Sequence, residues 1–231
     1  MRADNPSTIR VALVTGIAIS LIMMAVKVFL YRPLLAIPVG LAFVLETTGL
    51  LVSYAVLVVW ATSDGPLRRA ALLSGTPLGV VAGAIQVAHL TQETTMDWGA
   101  VWNGISGFGL LFCTFLLWGV AGYRTTRRTG ALWSGTMAGF WSAIVTMSIL
   151  VMFGFVEFYL AMPKPEYVVT WGEFKRSGWA DIHAFTIANT LDAAQSHLIA
   201  GPIVGAIFGG IAGVIARMQH KQEPNPAVRL A

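Results

Sequence analysis

Six apolar runs occupy residues 11–29, 34–61, 71–91, 98–123, 131–162 and 185–216. Each is long enough for a helix to cross a hydrocarbon core, which needs roughly 20 residues. Lipid offers no partner for a free backbone N–H or C=O, so spans of this kind must be helical. The sequence therefore predicts an all-α polytopic membrane protein, a compact bundle of six transmembrane helices forming a single domain over 1–231. Composition agrees: 11% of the residues are charged, against roughly 25% in soluble domains, and the mean hydropathy is +0.70. The stretches between runs are too short for a soluble catalytic domain.

Arg2 and Arg10 precede the first run, as in a signal peptide, but no small-residue cleavage site closes it and Lys27 and Arg32 follow at once. It reads as a retained span. The single cysteine, Cys113, lies inside the fourth run, which excludes a disulfide framework, a cysteine-based zinc site and a covalent haem motif. Basic residues mark the cytoplasmic side of a membrane protein. With the N-terminus inside, that side holds Arg2, Arg10, Arg68, Arg69, Arg124, Arg127, Arg128, Arg217, Lys221 and Arg229, ten of the fifteen. Glu93, Asp97, Glu166, Glu173 and Asp181 fall outside. The expectation is a multi-pass protein of the cell membrane with both termini cytoplasmic, an outer loop at 163–183 and a cytoplasmic tail at 218–231. The net charge of +4 is then a topology signal and implies no nucleic-acid partner.

Two short patterns recur. Ala71-Leu72-x-Ser74-Gly75-Thr76-x-x-Gly79 opens the third run and Ala131-Leu132-x-Ser134-Gly135-Thr136-x-x-Gly139 the fifth, with a weaker version at Ala12-Leu13-x-Thr15-Gly16-x-x-x-Ser20. Arg69, Arg128 and Arg10 stand just upstream. This predicts three tandem helical hairpins over about 8–62, 68–124 and 128–217. The sixth run carries Gly201, Gly205, Gly209 and Gly213. In lipid, small residues at a spacing of four let two backbones approach, so this glycine line predicts a contact helix. Packing within one bundle is the first expectation, and a membrane-protein partner docked on small-residue helix faces the second.

Polar residues at membrane depth are the functional clues, because an ionisable side chain near the bilayer centre costs about 2.5–3.5 kcal/mol even on lenient scales. Glu46 falls near the middle of the second run and His197 at similar depth in the sixth. Gln86 and His89 lie toward the outer end of the third, Asn103 and Ser106 in the outer half of the fourth, and Asp192 in the outer third of the sixth. The inner halves of the runs are almost free of such groups. These seven residues are the candidate ligand-binding set of a polar cavity open to the outside, with Glu46, His89, Asp192 and His197 as candidate metal ligands. A helix-bridging hydrogen bond is the structural alternative for each histidine.

A small-solute or cation carrier, or the membrane subunit of a larger complex, fits this distribution. In size, six spans, cytoplasmic ends and a small-residue line on the first helix, the chain resembles the substrate-binding components of energy-coupling-factor transporters. That resemblance carries no motif, so it implies no substrate or binding residue. A redox protein is the alternative, with His89 and His197 as axial ligands of a b-type haem, and an accessory subunit without chemistry is a third. No HExxH or paired ExxH spacing points to a metalloenzyme. No P-loop, nucleophile elbow or dinucleotide fingerprint is present, so active transport would draw on an ion gradient or a partner.

Overall fold

Proline sets where three of the helices begin. Helices α1 (Pro6–Leu30), α2 (Pro38–Ala61) and α3 (Pro66–Thr95) each open on one, where the fixed φ suits the first turn and the missing N–H breaks no bond. They are followed by α4 (Ala100–Thr129), α5 (Leu132–Ala161), a short α6 (Val169–Ser177) and α7 (Ile182–Gln222). The structure, a computed structural model, describes residues 6–63, 65–95, 100–161 and 169–222. Asp97, Glu166, Arg2 and Arg229 lie outside them, as do the side chains of Glu93, Asn103, Glu157 and Lys221. All the long helices, α1 to α5 and α7, are long and apolar enough to cross a membrane.

Two boundaries differ from the sequence reading. The second span starts at Pro38, not at residue 34, because Arg32–Ala36 forms a 3₁₀ turn and Ile37 is extended before Pro38, the backbone that a following proline favours. The outer segment at 163–183 contains α6, a helix too short and too polar to have declared itself by apolar periodicity.

Helices α3, α4, α5 and α7 form the centre, with α5 innermost: residues 141–147 are buried without a break. Its closest crossing is with α7. A Cβ placed on Gly209 would lie 2.7 Å from the Gly135 carbonyl oxygen and 2.8 Å from the Cα of Gly139. One placed on Gly139 would run into the Gly205 carbonyl. Gly122 of α4 meets the same Gly209 backbone. Removal of side chains there is what lets three helices share one crossing, the device by which membrane helices associate without a hydrophobic drive.

Hydroxyls and indoles tie helices together inside this centre. Trp118 of α4 donates to Thr146 Oγ1 of α5 at 3.1 Å, and Thr146 donates to the Gly79 carbonyl of α3 at 3.1 Å. Trp141 of α5 reaches Thr76 Oγ1 of α3 at 2.8 Å. Pro202 lies inside α7 and has no N–H to give the carbonyl four residues back. That carbonyl, Leu198, instead accepts the Tyr54 hydroxyl of α2 at 2.6 Å, so a break in one helix becomes a tie to another.

Helices α1 and α2 sit at the side, α1 against α5 and α2 against α7. At the end that carries the arginines, Arg10 of α1 clasps the last turn of α2 through Thr62 Oγ1 at 2.7 Å and the Thr62 carbonyl at 2.9 Å.

Candidate functional site

Gln86, His89 and Gln92 follow one another at spacings of three and so share a face of α3. That face meets α4. Gln86, buried, donates to Thr114 Oγ1 at 2.8 Å, and Gln92 donates to Ser106 Oγ at 2.8 Å. Between them lies half-buried His89, and a Cβ on Gly107 would fall 2.8 Å from its Nε2. The glycine makes room for the imidazole. Three of the seven candidates, Gln86, His89 and Ser106, thus line one polar seam in the α3–α4 contact, toward the C-terminal end of α3. Asn103 lies one turn further out on α4, and its side chain is outside the described residues.

The other three candidates stand elsewhere. Helices α2 and α7 are joined by the Gln195 amide, which donates to Thr47 Oγ1 and to the Phe43 carbonyl, each at 3.0 Å. This pairing sets a common level: with a rise of about 1.5 Å per residue, Glu46 lies next to it, Asp192 about 4.5 Å outward and His197 about 3 Å inward. All three side chains are exposed on the outside of the bundle. Glu46 and Asp192 have no hydrogen-bond or ion-pair partner among the described residues, and His197 Nδ1 turns back onto the Ala193 carbonyl of its own helix at 2.7 Å. The acid and imidazole groups midway along these helices therefore face away from the protein interior.

The seven residues are not gathered into one cavity. His89 is turned into the α3–α4 contact and His197 faces outward on α7, so the structure does not bring this haem-ligand pair together. Among the described residues no three His, Cys, Asp or Glu side chains meet at metal-binding distance, which leaves Glu46, His89, Asp192 and His197 apart as a ligand set. A pocket of about 10 Å³, room for one water, is lined by Met23, Lys27, Phe155, Ile187 and Thr190 among others, and by none of the candidates.

At the N-terminal end of α7, Asp181 caps the helix: its Oδ1 accepts from the His183 and Ala184 N–H groups at 2.7 and 3.0 Å. A hydrogen bond from Tyr31, then these N–H groups, holds its carboxyl below the ordinary carboxylate range. Burial, with the bond to Asp181 adding to it, pushes the Tyr31 phenol up to about 12. The Tyr31 ring also lies 6.0 Å from that of His183.

Sequence reasoning missed Gln92, Thr114, Gln195 and Tyr54. The first could have been found, because Gln86, His89 and Gln92 fall on one helical face; Tyr54 and Gln195 act through partners far away in the chain, which no local pattern shows. Comparison with protein families, with curated proteins and with solved structures finds no match to this chain.

Proposed function

We propose that the chain is a membrane-embedded subunit of an assembly that binds or passes a small polar solute or cation through the outer half of the membrane. One observation carries the reading: Glu46, Asp192 and His197 are exposed within about 7.5 Å of one another in height, on helices that are otherwise apolar. Intramembrane ionisable groups almost always face a bundle interior, a water-filled cavity or a pairing group. A free-standing chain would leave three of them against lipid, at a cost of several kcal/mol. A protein partner, or water held between partners, removes that cost. The α3–α4 seam of Gln86, His89 and Ser106 supplies a second set of polar groups at the same end.

In this reading the protein lies in the cell membrane with both termini cytoplasmic, the arginine-rich end inside, and the Ser-Gly-Thr repeats of α3 and α5 reflect three tandem hairpins. The test is substitution with apolar residues. Glu46→Leu or His197→Leu is expected to leave the purified chain folded, or to stabilise it, while reducing the size of the complex that carries the chain in its own membrane. If complex size and solute-dependent thermal stabilisation are both unchanged, the exposed ionisable groups have no such role.

A further inference from the structure

The exposed face of α7 changes character along its length. Its outer half presents Asn189, Ala193, Ser196 and Ala200, with exposed Ile199 off this line on the Asp192 flank, whereas its inner half presents Ile203, Ile207, Ile211 and Val214. At about 100° per residue, the four outer residues cluster along one line. Asp192 flanks that line on one side and His197 on the other, roughly 140° apart. The acid and the imidazole therefore edge a surface on which a neighbouring backbone can come close.

From this arrangement we infer that the occupant of the face is a second copy of the chain, related by a two-fold axis along the membrane normal. The inference rests on the reading of the chain as an assembly subunit, and names the partner. A two-fold axis sets α7 beside its equivalent in parallel and makes the contact isologous. It then places the flank of one copy against the opposite flank of the other, so Asp192 meets His197 of the partner subunit, twice. Like charge does not meet like. The two residues differ in height by about 7.5 Å, and the imidazole shortens this gap, since its bond to Ala193 turns the ring toward the outer end, where Asp192 lies. With Nδ1–H committed to that carbonyl, Nε2 is left for one shared proton with the carboxylate. The bulky isoleucines of the inner half make the helices diverge below the crossing, where lipid covers them.

Polar complementarity favours a second copy over a foreign helix: one flank carries a carboxyl, the other an imidazole, and the groups are related so that the face completes itself. Glu46, on the adjacent helix and at the same level, adds acid beside the pair.

Cross-linking of the full chain in lipid nanodiscs and in its own membrane tests this. With Cys113→Ala as background, Ser196→Cys is expected to form a disulfide dimer, while the parent, whose exposed Cys113 lies on α4, forms little. Asp192→Ala and His197→Ala are each expected to lower the dimerisation constant about tenfold, the effect of two symmetric membrane hydrogen bonds. Cross-linking through Cys113 but not through position 196 would overturn the inference. A monomer in nanodiscs that nonetheless migrates in a large complex in its own membrane would also overturn it, while leaving the subunit reading intact. A monomer in both places would remove both.

Discussion

Substitution of Gly209 by alanine adds a single carbon at the point where α4, α5 and α7 cross. The new Cβ would fall 2.7 Å from the Gly135 oxygen, 2.8 Å from Gly139 Cα and 3.0 Å from Gly139 N. All three neighbours are backbone, so no rotamer change relieves the contact. Reaching an ordinary separation of about 3.5 Å requires α5 and α7 to part by roughly 0.7 Å, loosening the neighbouring contacts of Gly205 with Gly139 and of Gly213 with Gly135. Overpacking of this kind costs about 1–3 kcal/mol. Alanine returns up to about 1 kcal/mol through its helix propensity. Gly49→Ala isolates that gain, because nothing lies within 4 Å of a Cβ there. Thermal unfolding in nanodiscs, followed by tryptophan fluorescence, should therefore show Gly49→Ala at or above the parent and Gly209→Ala several degrees below it, at about 2–4 °C per kcal/mol for a chain of this size. If both variants rise together, α5 and α7 do not touch at these glycines and the described crossing is wrong.

Tyr54→Phe should lower stability by about 0.6–1.7 kcal/mol, because it leaves the carbonyl freed by Pro202 without its donor; Gln195→Leu should cost a similar amount, and unfolding of each in detergent checks both. Asp181→Asn should weaken the start of α7, flatten the pH dependence of stability at the acid end, and reduce it at the alkaline end, where the burial of Tyr31 remains. The capping carboxyl titrates below its ordinary value, so its contribution is present above that value and lost as pH falls through the lowered one. Tyr31 titrates at about 12, so its contribution is complete below the ordinary tyrosine value near 10 and lost as pH rises through about 12; melting curves across pH read both limbs. Cysteine labelling from outside intact cells should modify Ser177→Cys and spare Arg127→Cys in a Cys113→Ala background, and the reverse pattern would invert the proposed orientation.

The six long helices were legible because apolar length alone specifies them, whereas the starts of α1 to α3 were not: the apolar runs begin at residues 11, 34 and 71, and the helices at Pro6, Pro38 and Pro66. The rotation of each helix was not legible either. Helices apolar around their whole circumference present no stripe to say which side is inside, so Glu46, Asp192 and His197 were read as pointing into a cavity when they point out. His197 shows how the reading goes astray. It continues the line Gly201, Gly205, Gly209 and Gly213 in sequence, but a spacing of four drifts by about 40° at each step. Gly205 and Gly209 face α5, and by His197 the line has turned to the exposed flank. The α3 seam was partly legible, since Gln86 and His89 share a face, while its α4 side, Thr114 and Gly107, was hidden because the contact joins positions 28 residues apart and leaves no local periodic mark.

The claim that the outward acids and histidine are covered by protein is tested most directly by the mass of the particle that carries the chain when it is released from its own membrane without detergent exchange. The account predicts a particle containing at least two copies of the 24.8 kDa chain, and a shift to smaller particles with His197→Leu. A chain released only as a 24.8 kDa monomer, with His197→Leu indistinguishable from the parent, would contradict it.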